Sequence, residues 1–379
     1  MTGNGLDFGV LGPLQVTVGG VTVPLGTPKQ RALLAALVIN RNRPVSIDSL
    51  LTAVWGESPP PGARASLHTY ISNLRRVFGN AGNESQGTLI KRPPGYLLGV
   101  PDPDCDLGRF VQQKTIGVQK AAAGHFAEAS SHLSAALAEW RGPVLDDLRE
   151  FAFVDAFATA LAEDKMVAHI ARAEAENACG RASAVIAELE SLVDDHPYRE
   201  PLWAQLMTSY YLADRQSDAL DAYRRLKAVL ADDLGIDPGP TLSALHERIL
   251  RQERLDAKQA ARTSAADTVV AMGQRTADSS RDTAPRLRGA SGFDFPLLAA
   301  VTRIGRLADN DVVLEDSKVS RHHAVIIDTG TSFMISDLRS ANGVTVTGKR
   351  IRGSVTLTDG DRIGIGQHEF VFEIQPSDD

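Results

Sequence analysis

The stretch "RASLHTYISNLRRVFG", residues 64–79, carries Leu67, Tyr70, Ile71, Leu74, Val77 and Phe78 at helical spacing, which makes one side of a helix apolar. Its other side carries Arg64, Ser66, His68, Thr69, Ser72, Asn73, Arg75 and Arg76. Short polar side chains suit base edges in a DNA groove, and flanking arginines suit phosphates. A solvated basic helix would look the same in isolation, so the neighbouring segments decide. Upstream, "FGVLGPLQVTV" and "VTVPLG" alternate about Gly19-Gly20, predicting a small hairpin. "TPKQRALLAALVIN" predicts a helix with Thr27 as N-cap and Pro28 at its first position. Ser46 or Asp48 can cap a second helix, "IDSLLTAVW", which a Pro59–Pro61 loop separates from the third. Downstream, "TLIKRPPGYLLGV" predicts two strands about Pro93-Pro94-Gly95, with Lys91 and Arg92 at the turn, in reach of an adjacent groove or backbone. Hairpin, three helices and a terminal hairpin make a winged helix-turn-helix, assigned to residues 1–100.

Charge supports a polyanion partner for this segment. The whole chain has a net charge of -7, but residues 1–100 hold nine Lys and Arg against four Asp and Glu. Residues 101–255 reverse the balance, with sixteen basic against twenty-six acidic side chains. A basic module is thus joined to an acidic body that interacts by other means. No apolar run reaches the roughly 20 residues that span a bilayer, and the N-terminus lacks a signal pattern, so a cytoplasmic protein without membrane insertion is expected. Cys105 and Cys179 form no C-x-x-C pair and read as small buried hydrophobes.

Residues 104–253 follow a helical pattern rich in Ala and Leu. "GHFAEA" at 124, "GRASAV" at 180 and "DRQSDA" at 214 each open a helix after a turn, the last two at the tetratricopeptide period of 34 residues. Trp203, Leu206 and Tyr210, followed by Ala219 and Tyr223, place aromatics beside a small residue where two helices approach closely. A tetratricopeptide-like all-α domain follows, its earlier copies degenerate. Residues 254–290 have few aromatics and read as a mobile linker with some helix at its start. Residues 291–375 switch to period two in "AAVTRIGR", "HHAVIIDTG", "SFMISDL", "GVTVTGKRI" and "HEFVFEI", the pattern of a β-sandwich. The fold class is therefore multidomain α+β.

The segments "LGPLQVTVGG", "LLTAVWGESPPPGARASLHTYISNLRRVFG" and "RPPGYLL", followed by "EWRGPVLDDL" and "LGIDPGP", resemble the SARP family of transcription activators over residues 5–253. That resemblance implies an OmpR-like winged helix followed by a bacterial transcriptional activation domain. It also implies that the helix from Arg64 enters the major groove of double-stranded promoter DNA at direct repeats, bound as a possible dimer. The Pro59–Pro61 loop would face RNA polymerase.

Three motifs in order, "RIGR", then "SRHH" fourteen residues on from Arg306, then "SANG", resemble the forkhead-associated domain, a sandwich that binds phosphothreonine peptides through loops at one end. Its presence behind a SARP body narrows the resemblance to the EmbR-type regulators, which partner phosphorylated membrane Ser/Thr kinases. The chemistry follows from the residues as well. A phosphothreonine carries a charge of about -1.5 to -2 and needs a guanidinium plus neutral donors. Arg306 supplies the charge, Ser320 a hydroxyl and a backbone N–H, and Arg321 a second donor. Asn342, in a tight turn made by Gly343, can bond the peptide main chain. Gly305 completes the first motif. The resemblance makes His323 a brace of the phosphate loop and leaves His322 facing away. Loop capping is the alternative for each residue taken singly, and strand structure explains Arg303 as well as ligand contact does. The family places Thr or Ser where Ala341 stands, so one hydrogen bond worth roughly 1.5–3 kcal/mol is expected to be missing.

Neither a phosphate-binding loop, a metalloprotease helix nor a nucleophile elbow is present, so no enzyme, catalytic residue, cofactor or metal is expected. Two functions remain: a promoter regulator that docks on a phosphorylated kinase, or a kinase-docking adaptor with little promoter activity. Thr263, Thr268, Thr276 and Thr283 are candidate acceptors for that kinase.

Overall fold

The computed structural model describes residues 5–56, 58–79, 87–273, 285–289, 294–297, 301–307, 310–329, 332–338, 340–351 and 353–374. The chain divides into two compact units, one of residues 1–112, 138–164 and 271–379, the other of 113–137 and 165–270.

The first unit opens with β1 (Leu6–Gly9), β2 (Gln15–Val18) and β3 (Val21–Thr22), an antiparallel sheet. In α1 (Pro28–Ile39) the Thr27 hydroxyl accepts the Gln30 N–H, and the helix is buried on nearly all sides. After β4 (Val45–Ser46), Ser46 caps α2 (Ile47–Trp55) by accepting the Ser49 N–H at 3.0 Å. Then come α3 (Ala63–Gly79) and the wing strands β5 (Leu89–Arg92) and β6 (Gly95–Leu98), which join β4 in a sheet ordered β4-β6-β5. The α3 stripe of Leu67, Ile71, Leu74 and Phe78 is buried, as its spacing requires.

The boundary expected after residue 100 falls inside this unit. Asp106, at the start of α4 (Asp106–Ala122), accepts the backbone N–H groups of Val10 and Leu11, each at 2.9 Å, and pairs with Arg141. Burial pushes the Asp106 carboxyl above its ordinary pKa, while those N–H donors and Arg141 hold it down. Asp147 accepts the Leu14 N–H at 2.8 Å and pairs with Arg31. The hairpin therefore has carboxylates as its partners, because a buried N–H needs an acceptor and β1 and β2 leave these three unpaired.

Then follow α5 (Phe126–Ala138), α6 (Ala152–Ala178), α7 (Ile186–Asp195), α8 (Glu200–Leu212), α9 (Gln216–Leu234), α10 (Pro240–Leu250) and α11 (Ala257–Gly273). The second unit is centred on the α8–α9 pair, where Trp203, Leu206, Tyr210 and Ala219 share one buried core and Tyr223 packs against it. The Trp203 indole N–H donates to the Pro197 carbonyl at 2.9 Å. The segment read as a linker holds α11, whose Ala261 packs against Phe126 and Ala178. Small alanines let that helix sit close, which a reading based on few aromatics overlooks. Thr263 and Thr268 lie on α11, their hydroxyls donating to the Gln259 and Ser264 carbonyls; Thr276 and Thr283 lie outside the described residues.

The sandwich begins inside the expected linker, with β7 (Arg286–Gly289) paired to the last strand. Its further strands are β8 (Asp294–Pro296), β9 (Val301–Gly305), β10 (Val312–Val313), β11 (Ala324–Asp328), β12 (Phe333–Asp337), β13 (Val344–Val346), β14 (Lys349–Arg350), β15 (Ser354–Leu357), β16 (Arg362–Ile365) and β17 (His368–Glu373). Two sheets, β10-β9-β11-β12-β15 and β14-β13-β16-β17-β7-β8, enclose a core including Ile304, Ile326, Ile335, Val344, Ile363 and Phe372. None of the described helices is long and apolar enough to cross a membrane.

In the second unit Glu174 of α6 accepts from Gln205 of α8 at 3.2 Å and from the Ser264 hydroxyl of α11, and burial pushes its pKa from 4.5 to about 7. The folded state thus binds a proton that the unfolded chain releases near 4.5. Its contribution is fully present below that pH and is lost as pH rises through 7. Urea midpoints should fall between pH 5 and 7.5, and Glu174→Gln should flatten this slope; an unchanged slope refutes the assignment.

Candidate functional site

At one end of the sandwich three loops meet. β9 delivers Gly305 and Arg306 against residues 320–321: the Arg306 N–H donates to the Ser320 carbonyl at 3.0 Å, and the Leu307 N–H to the Arg321 carbonyl at 3.3 Å. A Cβ on Gly305 would come within 2.2 Å of the Arg321 carbonyl oxygen, so only glycine permits this approach. Asn310 is buried and donates from Nδ2 to the Leu307 and Arg321 carbonyls, both at 2.8 Å, while its Oδ1 lies 3.1 Å from His322 Nδ1. Sequence reading passed over Asn310; the signal available was a lone Asn between "RLAD" and an apolar strand.

His323 has no exposed surface. The Ser320 N–H donates to its Nδ1 at 2.9 Å, and its Nε2 lies 3.0 Å from the Gly343 carbonyl. A backbone donor at Nδ1 leaves only Nε2 to carry the proton, so the ring is neutral and donates to Gly343. The expected ligand role of the Ser320 N–H is thereby corrected, since His323 already occupies it. The Ser320 hydroxyl accepts the Ala341 N–H at 3.1 Å and keeps its own proton to donate. Asn342 Nδ2 donates to the Lys318 carbonyl at 2.7 Å, which fixes the side chain and leaves its Oδ1 open. Gly343 adopts a φ of 76°, and its N–H donates to the Ser340 hydroxyl, which turns that hydroxyl into its own loop. Arg306, Arg321 and Asn342 are exposed, and neither arginine has a carboxylate partner among the described residues. Two unneutralised guanidiniums and a hydroxyl proton are the charge and donor that a multiply charged anion requires.

In the winged helix the predicted face splits. The His68 ring Nδ1 lies 2.8 Å from the Tyr96 hydroxyl, tying α3 to the wing, and Asn73 donates to the Gln30 side chain at 3.2 Å. Arg75 Nε donates to the Leu89 carbonyl at 2.9 Å, with its outer nitrogens still available, and Arg64 pairs with Asp48 at 3.0 Å. Thr69 returns its hydroxyl to the Ala65 carbonyl. His68 and Asn73, expected as readers of DNA, therefore hold the domain together. Among the described residues Ser66, Ser72, Arg76, Lys91 and Arg92 have no side-chain partner, so the free cations gather at the end of α3 and the wing tip.

The other cations of this domain are paired or packed, with Lys29 lying over the Trp55 ring. Arg31 and Arg41 pair with Asp147 and Asp102, and Arg43 pairs with Asp328 of β11 at 3.1 Å. Asp328 side chain is only 9% exposed, so this pair is shielded from solvent on one side. Arg303 of β9 reaches the Ser49 carbonyl of α2 at 3.5 Å. Strand β9 thus leads directly into Arg306 and, three residues earlier, makes a contact to the first turn of α2.

Winged helix, helical body and phosphate-receptor sandwich together define a DNA-binding regulator with a peptide-sensing domain. Residues 22–98 match the family "Transcriptional regulatory protein, C terminal", residues 105–250 the bacterial transcriptional activator domain and residues 302–366 the FHA domain. The chain belongs to the EmbR family of transcriptional regulatory proteins. It is 66% identical over 370 residues to the transcriptional regulatory protein EmbR of Mycobacterium tuberculosis, spanning 97% of this chain and 95% of that one. MoaR1 of the same organism is 52% identical over 256 residues, 67% of this chain and 82% of that protein. The solved structure of M. tuberculosis EmbR in complex with a low affinity phosphopeptide superposes with a TM-score of 0.95 at 65% identity, covering 99% of both chains.

Replacing His323 with Ala strands a half-buried N–H and a buried carbonyl, each costing about 1–3 kcal/mol. His323→Ala should lower stability by roughly 2–4 kcal/mol in denaturant titration, against little change for His322→Ala. Equal effects would show that the imidazole does not hold the loops.

Proposed function

We propose that this chain binds promoter DNA through α3 and the wing, and receives a phosphothreonine peptide of a Ser/Thr kinase at Arg306, Ser320, Arg321 and Asn342. The observation that carries the reading is the pair of exposed, unneutralised arginines beside the Ser320 hydroxyl, set on loops that the neutral His323 locks. A phosphate dianion needs that combination of charge and hydroxyl donor. His323, Gly305 and Gly343 act as supports. The solved relative was captured with a phosphopeptide, in keeping with this assignment. Recruitment of RNA polymerase through the Pro59–Pro61 loop and dimeric binding on direct repeats complete the activator reading.

Titration of the whole protein with a phosphothreonine peptide tests the receptor. Arg306→Ala should cost at least about tenfold in affinity, the loss expected of a hydrogen bond to a charged group. Ala341→Thr adds a hydroxyl beside Ser320 and should raise affinity by about tenfold. Binding that ignores both changes rules the site out.

The Arg43–Asp328 pair favours a regulated form of DNA binding, because a cation of the basic domain is neutralised by the peptide-sensing sandwich. Asp328→Ala should tighten binding to the target promoter and steepen the salt dependence by about one unit of log–log slope. A protein with no sequence preference and an unaltered slope would favour the kinase-docking adaptor instead.

A further inference from the structure

The hairpin β13–β14 carries a cation that the phosphate site does not use. Arg350 of β14 stands opposite Thr345 of β13, and the Ile351 N–H donates to the Val344 carbonyl, so the hairpin returns the chain to the receptor end of the sheet. There the Arg350 side chain lies against Gly343. A Cβ on that glycine would come within 2.3 Å of Arg350 Nε and 2.7 Å of Cζ and Nη2. Gly343 thus makes room for a guanidinium as well as for its own left-handed turn, and it follows directly on Asn342. Arg350 is exposed and has no carboxylate partner among the described residues.

Contacts order the loops in a row. Arg306 bonds to Ser320, Ser320 to Ala341, and the turn at Asn342–Gly343 abuts Arg350. Arg306, Arg321 and the Ser320 hydroxyl already supply the charge and donors that one phosphate needs. Arg350 lies beside Gly343, the residue after the side chain suited to hold the peptide main chain. A peptide running past Asn342 in extended form advances about 3.3 Å per residue, which brings a neighbouring side chain to this guanidinium. We propose that Arg350 is a specificity-determining residue that reads an acidic side chain flanking the phosphothreonine, so that the ligand class is an acidic phosphothreonine peptide. The inference rests on the phosphopeptide reading above and adds a second anion site to it.

The test uses the full chain and phosphothreonine peptides that are neutral apart from a single Asp, moved through the flanking positions in turn, with an all-neutral phosphopeptide as reference. Calorimetric titration of the wild type should show one position at which Asp raises affinity. In Arg350→Gln that preference should vanish, a loss of up to about fivefold for the Asp peptide, as for an exposed ion pair. Affinity for the neutral phosphopeptide should stay the same, and Arg350→Lys should retain part of the preference. A preference that survives Arg350→Gln overturns the proposal, as does an equal loss for both peptides, which would mark a packing role against Gly343. Arg306→Ala separates the two levels: it should weaken binding of every phosphopeptide by at least about tenfold. If Arg306→Ala binds them unchanged, the phosphate site itself is wrong and Arg350 falls with it.

Discussion

A neutral imidazole with no exposed surface holds the receptor end of the sandwich together. His323 takes the Ser320 N–H on one nitrogen and gives its proton to the Gly343 carbonyl from the other, so two loops twenty residues apart are fixed to one rigid ring. Everything exposed at that end follows from this constraint. With its N–H engaged, Ser320 presents its hydroxyl and reaches Ala341; with its carbonyl engaged, Gly343 keeps the turn that places Asn342. Because the ring is buried among backbone groups, either partner left alone would carry the cost of an unmade hydrogen bond. These loops are therefore held in place, and neither Arg306 nor Arg321 has a carboxylate partner among the described residues.

A second constraint acts on the basic domain. Three hairpin N–H groups, those of Val10, Leu11 and Leu14, find carboxylates from residues more than ninety positions later. The acidic body does more than balance charge, since Asp106 and Asp147 complete the hydrogen bonding of the winged helix and bind Arg141 and Arg31. Together with Asp102 and Asp328 these carboxylates pair with Arg31, Arg41, Arg43 and Arg141. Arg76, Lys91 and Arg92, at the end of α3 and the wing tip, have no carboxylate partner among the described residues.

Much of this was legible in the sequence. Thr27 and Ser46 cap the helices they precede, the α3 stripe is buried, and Trp203, Leu206, Tyr210 and Ala219 meet in one core. Arg306, Ser320, Arg321 and Asn342 converge on one end of the sandwich as their spacing implied. Where the reading missed, a distant partner had changed a residue's task. His68 and Asn73 look like groove readers on a helical wheel, yet Tyr96 and Gln30 engage them. The supposed linker contains α11 and β7 because alanines at close spacing and a four-residue strand give weak local signals. Asn310 and Arg350 escaped notice because nothing in their immediate neighbours marks the carbonyls or the glycine they meet.

By itself the sequence determined the kinds of element, their order and the chemistry available at each motif. Periodicity, capping and turn formation act over a few residues, and those interactions are written locally. Only the tertiary structure decided which groups are left free to act. That outcome depends on hydrogen bonds and ion pairs between residues as far apart as Arg43 and Asp328, 285 positions along the chain. A cation's availability is a property of its neighbours in space, and no local pattern encodes them.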